Sequence, residues 1–177
     1  MPSAQASEIN AYKTQLVLTD DSYAVFADFN IELNPRLEEA IEKGVMLYFT
    51  ADFELNRPRW YWLDEQVLSR NQTFRLSYHA LTRQYRLSTG GLHQNFDTLG
   101  EALHILSRLR NWVVFDKTTI KNETSYSASL RLRLDLTAMP KTFQVTALAN
   151  KDWDISSEWV RWSFIVSDGK MIIDEAK

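Results

Sequence analysis

The sequence predicts an antiparallel β-sandwich of about eight to nine strands carrying two short helices, and three observations predict it. Apolar residues alternate with polar ones through most of the chain, the period of strands buried on one face. Only two stretches carry helix caps, around Asn34-Pro35 and Thr98-Leu99-Gly100-Glu101. Strands buried on one face only argue against a parallel sheet, which is covered on both. A lipocalin-like β-barrel is the main rival, because a closed sheet shows the same alternation.

Taken in order, residues 9–18 read as a first strand with Leu16 and Leu18 on one face, and Asp20-Asp21-Ser22 as a turn. Over residues 23–33, Tyr23, Val25, Ala27, Phe29, Ile31 and Leu33 point one way. Asn34 then caps a helix whose first position is Pro35, whose stripe is Leu37, Ala40 and Ile41, and whose stop is Gly44. Residues 45–56 form a long strand with Leu47, Phe49, Ala51, Phe53 and Leu55 inward. Pro58 places the following chain at an edge, bulge or bend, since proline cannot donate to a central ladder. After a polar connection at 69–72, residues 73–91 read as a hairpin: Phe74, Leu76 and Tyr78 alternate with Arg75, Ser77 and His79, and Tyr85 and Leu87 with Gln84, Arg86 and Ser88.

Gly90-Gly91 reads as a strand break, followed by a helix from Thr98 to about Arg110 that buries Leu99, Ala102, Leu103 and Leu106. A short strand at 112–116 comes next, then the most regular segment of all, where Tyr126, Ala128, Leu130, Leu132, Leu134 and Leu136 alternate with polar residues. Met139-Pro140-Lys141 turns into a strand with Phe143, Val145 and Ala147; residues 153–159 are a loop and 160–166 the last strand. Asp168-Gly169 is read as the end of the fold. The resulting layout is a residual leader or linker at 1–8, one domain over 9–168 and a polar tail at 169–177.

A 177-residue chain with 45% apolar and 12% aromatic residues can bury a substantial core. A net charge of −3 and the lack of a basic tail argue against nucleic acid. No stretch approaches the roughly 18 apolar residues of a membrane span. With no cysteine, disulfides and cysteine-based zinc sites are excluded. Ala4-Gln5-Ala6 has the small-x-small pattern that ends a secretory leader, but the charged and apolar regions that precede such a site are missing. It reads either as the remnant of a removed leader or as a chance match.

No catalytic constellation is expected. His79, His93 and His104 form no close ligand pair, and no nucleophile elbow, P-loop or dinucleotide fingerprint occurs, so neither metal nor cofactor is expected. Two groups stand out as a candidate interaction surface. One is a basic face of the hairpin, with Arg75, His79, Arg83 and Arg86 on one side and Arg70 nearby; a solvated strand face is the bland reading, an anionic partner the functional one. The other is the aromatic and arginine group Arg57, Arg59, Trp60, Tyr61 and Trp62, with Trp153, Trp159 and Trp162 further on. Arginine stacked on indole within the core is the bland reading there, and a recognition surface rich in hot-spot residues the functional one.

The stretches Ala27-Asp28-Phe29, Leu37-Glu38-Glu39-Ala40, 44–53, Arg57-Pro58-Arg59-Trp60-Tyr61-Trp62, 76–91, Phe143-Gln144-Val145 and Asp152-Trp153 resemble a bacterial family, the domain of unknown function DUF4390, sometimes labelled proline-rich signal-peptide proteins. The resemblance runs from about residue 10 to 166. It implies an exported protein of Gram-negative bacteria, periplasmic or secreted, and tips Ala4-Gln5-Ala6 toward a removed signal peptide. It also implies a gene beside that of a nitrogen-regulation-type sensor histidine kinase, and it brings no activity and no catalytic residue. The expectation is a non-enzymatic periplasmic binding or interaction module, whose most concrete form is an accessory to that kinase. The alternative is a carrier of a lipid or small apolar ligand inside the sandwich, whose mark would be an apolar cavity of several hundred Å3.

Overall fold

Two antiparallel sheets of unequal width face one another. The computed structural model describes residues 8–59, 63–142, 144 and 155–174. The smaller sheet has the order β1-β2-β7, built from β1 (Glu8–Leu18), β2 (Ser22–Glu32) and β7 (Arg108–Asp116). The larger has the order β10-β9-β8-β3-β4-β5-β6, built from β3 (Leu47–Arg57), β4 (Glu65–His79), β5 (Gln84–Thr89), β6 (Leu92–Phe96), β8 (Ser125–Leu134), β9 (Val160–Ser167) and β10 (Lys170–Asp174). Neither sheet closes on itself, so the architecture is a sandwich and the barrel alternative falls.

Two of the three changes of sheet run through the α-helices, and the third, from β7 to β8, through the connection at 117–124. α1 (Pro35–Glu42) carries it from β2 to β3, and α2 (Leu99–Leu106) from β6 back to β7. The Asn34 side chain accepts from the Leu37 amide at 2.9 Å, and that of Thr98 from the Glu101 amide at 3.1 Å, as the capping residues predict. Gly44, at φ +97°, lets the chain turn away after α1 into a conformation that a side chain disfavours.

The alternation expected for β2, β3 and β8 is what fills the space between the sheets. All six inward residues of 23–33 are buried, as are Leu47, Phe49, Ala51, Phe53 and Leu55, and Tyr126 to Leu134 at every second position. Phe115 of β7 stacks on Tyr23, with ring centroids 4.9 Å apart, and on Phe53 at 6.1 Å; Trp112 meets Phe53 edge-on at 6.4 Å. Each large side chain buried this way contributes about 1.5–3 kcal/mol.

Several boundaries differ from expectation, each for a physical reason. Residues 69–72 are not a connection: β4 runs unbroken over 15 residues. There the smaller sheet no longer covers it, so Arg70 and Gln72 can stand on the inward register of Phe53 and Ala51. Gly90-Gly91 does not end the sheet but joins β5 to β6, with Thr89 paired to Leu92 and Gly90 at φ +58°. Asp168-Gly169 likewise joins β9 to β10 as a two-residue turn with both residues at positive φ, so residues 170–174 are a strand rather than a tail. α2 stops at Leu106, because Arg108 already pairs with Asp28; Asn111 at φ +50° lies within the irregular stretch between the Ala27–Leu109 and Val25–Trp112 pairs. On β1, Leu16 is buried while Leu18, at its end, is exposed. The strand expected at Phe143, Val145 and Ala147 lies outside the described residues, as do Ala4-Gln5-Ala6, Trp60, Tyr61, Trp62 and Trp153.

Candidate functional site

The outward face of the larger sheet is mostly polar from β8 to β6, with Ile165 and Ile172 exposed on it at the β9–β10 end, and two groups of charges stand out. Over β3 and β8, Asp52 lies between two arginines. Arg133 Nε donates to it at 2.7 Å, and Arg131 donates through a terminal nitrogen at 3.0 Å. Arg133 also pairs with Asp135 at 3.3 Å, and Asp135 accepts from Thr50 Oγ1 at 3.2 Å and from Thr137 Oγ1 at 2.6 Å. Burial pushes the Asp135 carboxyl up, but the Thr137 hydrogen bond, the Arg133 charge and the Thr50 hydroxyl together hold it below its usual value. The hydrogen bond to Asp52 raises Arg133 further, against the opposing effect of burial. Two arginines and two aspartates make this group neutral.

Trp159 completes it from above. Residues 155–157 continue alongside β8, with the Ser157 amide bonded to the Leu132 carbonyl at 2.8 Å and Ser156 bridged to Arg133. Between Ser156 and Val160, which pairs with Leu130, there is one residue more than on β8, and this bulge accompanies a Trp159 ring seated 4.5 Å from the Arg131 guanidinium carbon. Stacking of arginine on indole was expected for Arg57 and Arg59 with their neighbours; here Arg131, part of no expected group, performs it. Trp162 packs instead against the core from the inward register of Ala128.

The hairpin end of the same face is different. Pairing of Arg75 with Ser88, Ser77 with Arg86 and His79 with Gln84 puts Arg75, Arg86 and His79 on one side, as the alternation predicts. Among the described residues no carboxylate pairs with any of the three. Arg86 Nε donates to Asn95 Oδ1 at 3.1 Å, which draws its guanidinium toward β6. Two expectations fail here. Arg83 sits in the connecting turn at φ +56°, not on the strand face, and Arg70 shares the inward register, opposite to Arg75.

Arg57 and Arg59, the described arginines of the second expected group, stand away from the hairpin face. Arg57 ends β3 and pairs with Glu65 at 2.5 Å, and Arg59 Nε donates to the Leu63 carbonyl at 2.9 Å. Leu47, at the other end of β3, pairs with Leu76 beside Arg75. At 3.3 Å per residue, Arg57 and Arg75 are separated by roughly 30 Å of strand. The three histidines stand on β4, β6 and α2, each exposed.

The model of the domain of unknown function DUF4390 matches residues 6–163 of the chain. The chain belongs to the DUF4390 family. The match spans both sheets as far as β9, so the polar face with its neutral and basic halves lies within what DUF4390 describes. Neither the curated proteins nor the solved structures include a match to this DUF4390 chain.

Proposed function

We propose that this protein is a non-enzymatic interaction module of the periplasm, offering the hairpin end of its large sheet to an acidic surface of another envelope protein. One observation carries the reading: on one continuous face, Arg131 and Arg133 are compensated by Asp52 and Asp135, whereas Arg75 and Arg86 have no carboxylate among the described residues. In a chain of net charge −3, a local positive field of this kind steers an acidic partner without drawing nucleic acid. The carrier reading calls for an apolar cavity between the sheets. Ring stacking of Tyr23, Phe115 and Phe53 in that space favours the interaction reading.

The most concrete partner is the extracytoplasmic part of the sensor histidine kinase whose gene adjoins those of the family. Deleting the protein should change kinase output, and wild-type protein should restore it. The Arg75→Glu/Arg86→Glu variant, folded by circular dichroism, should not. If the variant restores output fully, the hairpin is not the contact surface; if deletion leaves output unchanged, the kinase is not the partner.

A further inference from the structure

The free edge of β6 differs from the other sheet edges. Natural edges are guarded by charge, proline or bulges. β1 has a bulge and Lys13, β7 has two register shifts and arginines, and β10 begins with Lys170. β6 reads Leu-His-Gln-Asn-Phe, with no lysine, arginine, acidic residue or proline, and it pairs with β5 through five successive residues without a bulge. Among the described residues no strand covers its other side. It is an unbulged, open template.

The two faces beside that edge differ, the outward one polar and the inward one with exposed apolar side chains among polar ones. Outward, Arg86 is drawn over Asn95 toward the edge, next to His93. Inward, Leu92 is 80% exposed and Ile105 of α2 is 43% exposed, bordering a hollow of about 430 Å3 floored by Phe74 and Leu87 and lined also by Gln94, Arg108 and Arg110. Side chains of a strand alternate between faces, so one extended segment could place acidic groups on the outer side and apolar groups in the hollow.

We infer that β6 is a strand-addition site for an extended partner segment in which acidic and apolar residues alternate. This rests on the interaction reading above and names the form of the partner. Main-chain hydrogen bonds to the free edge provide the attachment, Arg86 selects the acidic positions, and the hollow beside Ile105 selects the apolar ones. A second copy of this chain is a poor occupant. Antiparallel pairing of two β6 strands about Gln94 brings the Arg86 side chains of both copies onto one face; β6 itself has no carboxylate, and Asp97 just past it already accepts from Gln84.

The test uses the full chain and a ten-residue synthetic peptide of alternating Glu and Val, with a control of the same composition in which Glu and Val form separate blocks. The alternating peptide should bind and slow hydrogen exchange at the β6 amides. Arg86→Glu should weaken binding at least tenfold, as should Leu92→Lys, which puts a guarding charge on the edge. N-methylation of alternate peptide amides should abolish binding. Equal binding of the block control, no slowing of exchange in β6, or wild-type affinity in Arg86→Glu would overturn the inference; so would slowed β6 exchange from self-association without peptide. If β6 stays unprotected while the Arg75→Glu/Arg86→Glu variant still fails to restore kinase output, strand addition falls and the interaction reading stands.

Discussion

Asp52 and Arg133 face each other from adjacent strands, with Arg133 Nε 2.7 Å from the Asp52 carboxylate, which is only 15% exposed. Asp52 also accepts from Arg131, so one carboxylate offsets two guanidinium groups over the middle of the sheet. Replacing it with alanine leaves two half-buried cations side by side. Asp52→Ala should cost about 1–3 kcal/mol, less than a fully buried pair because the arginines retain some solvent. Urea denaturation measures this, and a loss within error would show that solvent already screens the pair.

Asp135 predicts a pH dependence with a definite sign. Its carboxyl is held below the usual value in the folded protein, so the stability it contributes is fully present above the unfolded-state pKa. That contribution is lost as the pH falls through the lower, folded-state value. The thermal midpoint of the wild type should therefore drop below about pH 4, the ordinary aspartate range. Asp135→Asn should be less stable at neutral pH, and the gap should narrow in acid; a gap constant from pH 7 to pH 2 would refute the assignment.

Helix α1 depends on its two ends. Asn34→Ala removes the acceptor of the buried Leu37 amide and should cost about 0.5–2 kcal/mol. At Gly44 nothing lies within 4 Å of where a Cβ would stand, so Gly44→Ala meets no steric barrier beyond its own backbone. Its φ of +97° should still make that change destabilising by about 1–2 kcal/mol. Calorimetry on both variants checks the pair; a neutral Gly44→Ala would mean the turn relaxes.

Phe53 joins the two sheets through Phe115 and Trp112 and has no exposed surface. Phe53→Ala should cost about 3–5 kcal/mol, the range for a buried aromatic whose neighbours cannot collapse into the gap. Near-ultraviolet circular dichroism should lose signal along with the stability. Loss of less than 1 kcal/mol would show that the sheets close over the cavity.

Sequence alone determined the parts of this protein where one face of a strand is dry. In β2, β3 and β8 every second residue enters the core, so the period of two is written directly in Tyr23 to Leu33, Leu47 to Leu55 and Tyr126 to Leu134. The caps at Asn34 and Thr98 were legible for a similar reason, since a cap is a local bargain between one side chain and one amide. β6 and the middle of β4 carried no such signal, because solvent reaches both faces and no alternation is imposed. β10 did have a signal, the Asp-Gly turn before it, which the reading as a terminus passed over.

Only the tertiary structure decided which polar residues meet. Asp52, Arg131, Arg133, Asp135 and Trp159 come together because β8 lies beside β3 and a bulge accompanies the indole's position over Arg131; none of this follows from their spacing. The same sheet order separates Arg57 from Arg75 by the length of β3, and the parity of β4 turns Arg70 away from Arg75. Local pattern dictates which face a residue takes on its own strand. Which strand becomes its neighbour depends on how two sheets of unequal width cover a common core.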